Sequence, residues 1–130
     1  MMLPDTHIWL WWIHDPSQLT QLQVDSLHQH ENDVIGVSIF SCWEIAKLVQ
    51  LQRLDLPRSL REWITLALGY PGIRLFQLTP DIVIESTQLP GMFHRDPADQ
   101  IIVVTARVHG CPLVTSDRKI SQYPYVETIA

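Results

Sequence analysis

The sequence predicts an α/β fold of three layers, α/β/α, with a central parallel sheet between helices. Two observations carry that expectation. Short apolar segments alternate along the chain with longer stretches that suit helices, the order from which parallel sheets are built. Two of the apolar segments end on an aspartate, at Asp5 and Asp117, and in such sheets sites form outside the carboxyl ends of the strands. A chain of 130 residues suffices for one domain, spanning residues 1–130, and for a core that needs no disulfide or metal staple.

The first strand is the short apolar start that ends at Asp5. Residues 6–13 follow as a helix, broken by Asp15-Pro16-Ser17. A polar helix is expected over residues 20–30, then a short buried strand over 34–37 and a long helix over 38–52 opened by small polar residues. Pro57-Arg58-Ser59 opens another helix to about residue 68, where Gly69-Tyr70-Pro71-Gly72 turns the chain. Residues 73–78 suit a strand, and Thr79-Pro80 caps and starts a helix toward residue 87. Asp96-Pro97-Ala98-Asp99 opens the segment 96–108, whose middle is β-branched from Ile101 to Thr105 and favours a strand by propensity. The Asp-Pro opening and the length of the segment favour a buried helix, which is the reading adopted. Residues 112–115 and 125–129 complete the strands. Pro4 donates no ladder hydrogen bond, so the first strand is expected to be weakened.

A hydrophobic share of 46% and a charged share of 18% exclude a disordered chain. The formal net charge of -5 argues against a nucleic-acid coat protein, whose affinity comes from neutralising phosphates. It leaves room for an enzyme whose acids meet phosphate through bound cations. Cys42 and Cys111 stand in unrelated contexts and suit a reducing compartment, packed as small apolar groups. His109 and Cys111 lack a second pair at zinc-finger spacing. No apolar run reaches the roughly 18 to 20 residues that span a bilayer, and the start lacks the pattern of a secretory leader, so the cytoplasm is the expected compartment.

Each prominent acid has a plain structural use. Asp96 suits an N-cap, with Pro97 at the first helical position and Asp99 in the first turn. Ser41-Cys42-Trp43-Glu44 matches a capping box, and Asp5 and Asp117 can each cap a helix that follows a strand. Taken together the acids point elsewhere. If the third helix starts at Ser38, Glu44 lies well inside it among apolar residues, where a carboxylate is costly without a partner. Asp96 and Asp99 are three apart and share a helix face. Four or five carboxylates in one cleft must hold protons or bind cations, since unit charges about 4 Å apart repel by about 4 kcal/mol at an effective dielectric near 20. An all-oxygen donor set selects Mg²⁺ or Mn²⁺.

The blocks around these acids resemble the PIN-domain ribonucleases, in particular VapC-type toxins. Leu3-Pro4-Asp5-Thr6-His7 is similar to their opening and Ser38-Ile39-Phe40-Ser41-Cys42-Trp43-Glu44-Ile45-Ala46-Lys47 to their second block. His94-Arg95-Asp96-Pro97-Ala98-Asp99-Gln100-Ile101-Ile102 is similar to the third, and Leu113-Val114-Thr115-Ser116-Asp117 to the fourth. The resemblance implies a PIN-like fold and a metal-dependent ribonuclease acting on RNA, held inactive by a cognate antitoxin and forming a homodimer. It implies Asp5, Glu44, Asp99 and Asp117 as the catalytic acids and metal ligands, with Asp96 as a further ligand and Mg²⁺ or Mn²⁺ as the cofactor. Thr115 or Ser116 matches the hydroxyl beside the fourth acid. His94 and Arg95 stand where they can meet phosphate, although Arg95 equally suits a salt bridge. Trp9, Trp11 and Trp12 read as buried packing, with a dimer or antitoxin surface as the alternative, and Lys47 as a solvated partner of Glu44. The rival readings are a catalytically weak PIN-like module that binds RNA or protein, and a phosphatase-like enzyme. The latter wants Asp-x-Asp after the first strand, which Asp5-Thr6-His7 does not supply.

Overall fold

Five short parallel strands run in the order β3-β2-β1-β4-β5 through the computed structural model, which describes residues 1–29 and 33–130. They are β1 (Leu3–Pro4), β2 (Ile35–Ser38), β3 (Ile73–Phe76), β4 (Leu113–Val114) and β5 (Thr128–Ile129). The join between β1 and β2 is a single bridge, Met2 to Ile35, closed by Met2 N to Val34 O at 3.1 Å and Gly36 N to Met2 O at 2.8 Å. The next donor in that ladder would be the amide of residue 4, and proline has none. The expected weakening is therefore real and confined to one side. Leu3 N and Asp5 N face the other way and bond Pro112 O and Val114 O at 2.9 Å each, so Asp5 is anchored by β4.

Side-chain alternation sorts the strands onto two faces. Leu3, Phe76 and Leu113 point to one, against Ile102, Val103 and Ala106 of α6 (Pro97–His109) and Ile120 of α7 (Arg118–Ser121). Met2, Ile35, Val37 and Val114 point to the other. There they meet α1 (Thr6–His14), α2 (Gln21–Gln29), α3 (Ile39–Gln50) and α4 (Leu60–Leu68). Trp9 is fully buried edge-on to Trp63, while Trp11 and Trp12 are only half-buried. A seventh helix, α5 (Pro80–Ser86), packs beside α6. The helix expected over residues 20–30 is α2, and its last expected residue lies outside the described residues.

Helix starts follow the sequence signals. Ser38, Ser59, Thr79 and Asp96 each accept a bond from an amide of the first turn, and Thr20 and Gln23 cap α2 reciprocally. Because Ser38 is the cap of α3, the capping box at Ser41 to Glu44 does not form, and Glu44 is released from that role. The segment 96–108 is helical, as α6, despite its β-branched middle. Ile102 to Ala106 are all buried, so packing on every side overrides propensity, and Gly110 ends the helix at φ 63.

Gly36 is required by packing. A Cβ there would lie 2.0 Å from the Phe76 ring, which also stacks on His109 with ring centroids 3.7 Å apart. Gly36→Ala should therefore lower stability by about 1–3 kcal/mol, the usual cost of overpacking. Phe76→Leu in the Gly36→Ala background should recover part of the loss. Chemical denaturation of the variants tests this, and an unchanged midpoint in Gly36→Ala contradicts it.

Candidate active site

The chain steps from β1 to β2 to β3 in one direction, then returns to place β4 and β5 on the opposite side of β1. The crossovers next to β1 and β4 consequently lie on opposite faces, and a crevice opens at the carboxyl ends of those two strands. A cleft of about 530 Å³ lies there, lined by Asp5, Glu44, Asp96, Asp99 and Asp117. All five acids singled out by the sequence thus share one wall-to-wall space, drawn from β1, α3, α6 and the turn after β4. No Lys or Arg lines it among the described residues.

The capping and site roles turn out to be compatible. Asp5 Oδ1 accepts from Ile8 N at 3.0 Å, Asp96 Oδ1 from Ala98 N at 2.9 Å and Asp117 Oδ1 from Lys119 N at 2.8 Å. Each cap uses one carboxylate oxygen and fixes where the other points. Asp5 Oδ2 accepts from the buried Thr115 hydroxyl at 2.5 Å, and the same Thr115 oxygen accepts from Asp117 N at 3.0 Å. Of the two hydroxyl candidates, Thr115 is therefore the one that joins the acids. Ser116 is held instead by Gln23 Nε2 at 2.7 Å. Glu44 Oε1 accepts from Thr6 Oγ1 at 2.5 Å, and Thr6 also bonds Ser41 at 2.8 Å, so a buried hydroxyl pair aims the Glu44 carboxylate.

Electrostatics follow from the crowding. Burial pushes the Asp5 and Glu44 carboxyls up from their ordinary values, in each case partly offset by a threonine hydroxyl. Asp99 is pushed up to about 6, first by burial and then by the charges of Asp96 and Asp117. His94 opposes that rise: its Nε2 lies 3.1 Å from Asp99 Oδ2, close but too far off line for a hydrogen bond. Arg95 is exposed and makes no ion pair with a described residue, and Lys47 bonds Gln50 Oε1 at 2.8 Å rather than Glu44. His7 and Trp11 also line the cleft, and the sequence reading missed both. Their signal was spacing: they stand two and six residues beyond Asp5, on the helix that it caps.

The donor set suits a hard divalent cation: carboxylate oxygens with hydroxyls behind them and no Lys or Arg in the lining among the described residues. Among the described residues no three of the acids or histidines close on a common point. The metal-free cleft should accordingly carry repulsive strain that is sensitive to pH. Asp99 has a folded pKa of about 6 against an ordinary 3.8, so the folded state binds the extra proton between those values. Stability contributed by this group therefore falls as pH rises from about 4 to 6 and stays low above that window. In chelator, Asp99→Asn should melt above the parent at pH 7, and the gap should close as pH falls toward 4. A gap that is constant with pH, or reversed, contradicts this electrostatic account.

Comparison with known proteins agrees with the geometry. The PIN domain family model matches residues 2–125. Ribonuclease VapC22 of Mycobacterium tuberculosis (strain ATCC 25618 / H37Rv) is 30% identical over 122 residues, which cover 94% of this chain and 91% of that protein. Among solved structures, VapBC2 from Rickettsia felis bound to a DNA fragment from its promoter superimposes with a TM-score of 0.70 at 15% identity, covering 98% of this chain and 96% of that one. FitAcB from Neisseria gonorrhoeae gives a TM-score of 0.70 at 18% identity, with 100% and 97% covered. These two share the fold. A family match that starts at the first strand and extends past the last helix leaves one assignment: the chain belongs to the PIN-domain family.

Proposed function

We propose that the chain is a divalent-metal-dependent endoribonuclease, the toxin of a toxin–antitoxin pair. One observation carries this reading: five carboxylates from four parts of the fold line one cleft that no Lys or Arg neutralises among the described residues. Natural folds seldom leave such repulsion in place without a cation to relieve it. Asp5, Asp99 and Asp117 would hold Mg²⁺ or Mn²⁺, with Glu44 and Asp96 completing the shell directly or through water. Bound there, the ion would supply a low-pKa water and charge stabilisation for phosphodiester hydrolysis.

The chain's own residues prepare that chemistry. Thr115 fixes Asp5 through one hydrogen bond and the Asp117 backbone through another, so both strand-end acids move as a unit. Thr6 does the same for Glu44. The cap at Asp96 sets the direction of the first turn of α6 and hence of Asp99. The cleft needs no side-chain nucleophile in this scheme. The rival reading, a weak binding module, draws on the weakened first strand; against it, the bond from Asp5 N to Val114 O supports an Asp5 held by β4 despite that weakness.

The relative named a ribonuclease supports RNA as the substrate, and a toxin–antitoxin complex from Klebsiella pneumoniae, which shares the fold with a TM-score of 0.67 at 17% identity, supports a protein inhibitor. An Arg or Lys projected from that partner into the acids would replace the cation with charge-assisted contacts. Homodimerisation and a cytoplasmic setting belong to the same proposal. No helix of the described residues is long and apolar enough to cross a membrane. Incubation of the purified chain with total RNA tests the reading. New RNA ends should form with Mg²⁺ or Mn²⁺ and not with chelator, and RNA left intact with either metal counts against it.

A further inference from the structure

Beside the acidic cleft lies a second hollow, of about 290 Å³, whose walls include Met92, Phe93, His94, Lys119 and Tyr123. It is tied to the acids on both sides. His94 Nε2 approaches Asp99 Oδ2 at 3.1 Å, and the Lys119 amide bonds Asp117 Oδ1 at 2.8 Å. We propose that this hollow is a nucleotide subsite, which receives an unpaired base of a single-stranded RNA next to the phosphate held over the acids. The inference rests on the ribonuclease reading above and extends it to the form of RNA and the side chains that grip it.

Aromatic rings line the hollow, half-buried at Phe93 and His94 and buried at Tyr123. Phe93 packs on His94 with ring centroids 4.4 Å apart and on Tyr123 at 4.7 Å, and base stacking on such surfaces binds single strands without regard to sequence. At the rim, Met92 is 96% exposed, a polarisable apolar side chain with almost nothing covering it. The platform is also held in place. The Tyr123 hydroxyl donates to Pro90 O at 2.5 Å, and Gln100 Nε2 donates to His94 O at 3.1 Å, so the segment carrying Met92 to His94 is anchored at both ends. A preorganised platform loses little entropy on binding.

Charge completes the match. The chain is acidic overall, at -5, yet Lys119 is exposed on the rim and pairs with no described acid, and Arg95 and Arg118 stand exposed next to Asp96 and Asp117. Cations that flank an acidic centre suit a phosphate backbone that passes over it, with the ammonium of Lys119 meeting a phosphate one nucleotide from the acids. A base stacked in the hollow cannot remain paired, so a duplex is excluded from this position.

Binding of a fluorescent ten-nucleotide single strand and of its duplex, measured in the Asp99→Asn background with Mg²⁺, tests the proposal without cleavage. Lys119→Glu should weaken single-strand binding about tenfold and reduce its salt dependence, and Lys119→Arg should stay within about twofold of the parent. Met92→Ala should weaken it about fivefold. The duplex should bind less tightly than the single strand and respond less to Met92→Ala. Arg58→Glu, in the turn before α4 and outside the hollow's lining, serves as the charge control and should have little effect. Parental affinity in both Lys119→Glu and Met92→Ala overturns the subsite, as does an equal loss in Arg58→Glu. So does unchanged RNA binding by Lys119→Glu that escapes inhibition by a protein partner, since the hollow would then serve protein. If the unsubstituted chain cuts RNA while these variants keep its KM, only the subsite fails; if it neither binds nor cuts RNA, the ribonuclease reading fails with it.

Discussion

Asp99→Asn is expected to lower RNA cleavage by about 10²–10³-fold while leaving the fold intact, and Asp5→Asn to do the same. The magnitude is that of losing one group that meets charge developed in the reaction. Asparagine is the informative replacement because Asp5 also caps α1 through Oδ1. Asn caps nearly as well as Asp, whereas Ala at that position costs about 1 kcal/mol of helix stability and mixes two effects. Asp99 has no cap to lose, so its substitution isolates the charge. Cleavage rates with RNA in Mn²⁺, alongside circular dichroism of each variant, provide the check. Parental rates in folded Asp99→Asn would remove Asp99 from the reaction.

The second large effect is on growth. Expression of the chain alone should arrest its host, and expression together with its cognate antitoxin should restore growth. Asp99→Asn should be harmless in either setting. The reasoning is electrostatic: a cleft that carries five carboxylates and no Lys or Arg among the described residues is open to a partner that supplies one. Growth curves on induction decide it. Continued growth with stable, unsubstituted protein present, and with the antitoxin absent, contradicts the toxin role.

Much of the site was legible because its local chemistry is repeated at each position. Strand-end aspartates, an Asp-Pro helix opening and a serine before the third helix are all short-range signals, and each formed as the sequence indicated. At Ile101 to Thr105 the Asp-Pro cap and burial outweigh the β-branched propensity. What escaped were contacts made across long separations. The Thr6 to Glu44 bond spans 38 residues, Gln23 to Ser116 spans 93 and Thr115 to Asp5 spans 110, and no local pattern announces any of them. The last strands also proved shorter than their apolar runs, because only Thr128–Ile129 finds a partner edge beside β4. Helix α7 has four residues, too few for a periodic pattern, although Asp117 marked its cap.

Thermal melting with and without Mn²⁺ tests most directly whether the five acids form a cation site. A folded site that binds the ion gains stability by mass action, about 2.7 kcal/mol at a hundredfold excess over Kd. Mn²⁺ should therefore raise the melting temperature of the parent at pH 7 and should do so much less for Asp99→Asn. Equal melting of the parent in Mn²⁺ and in chelator would contradict the account at its centre.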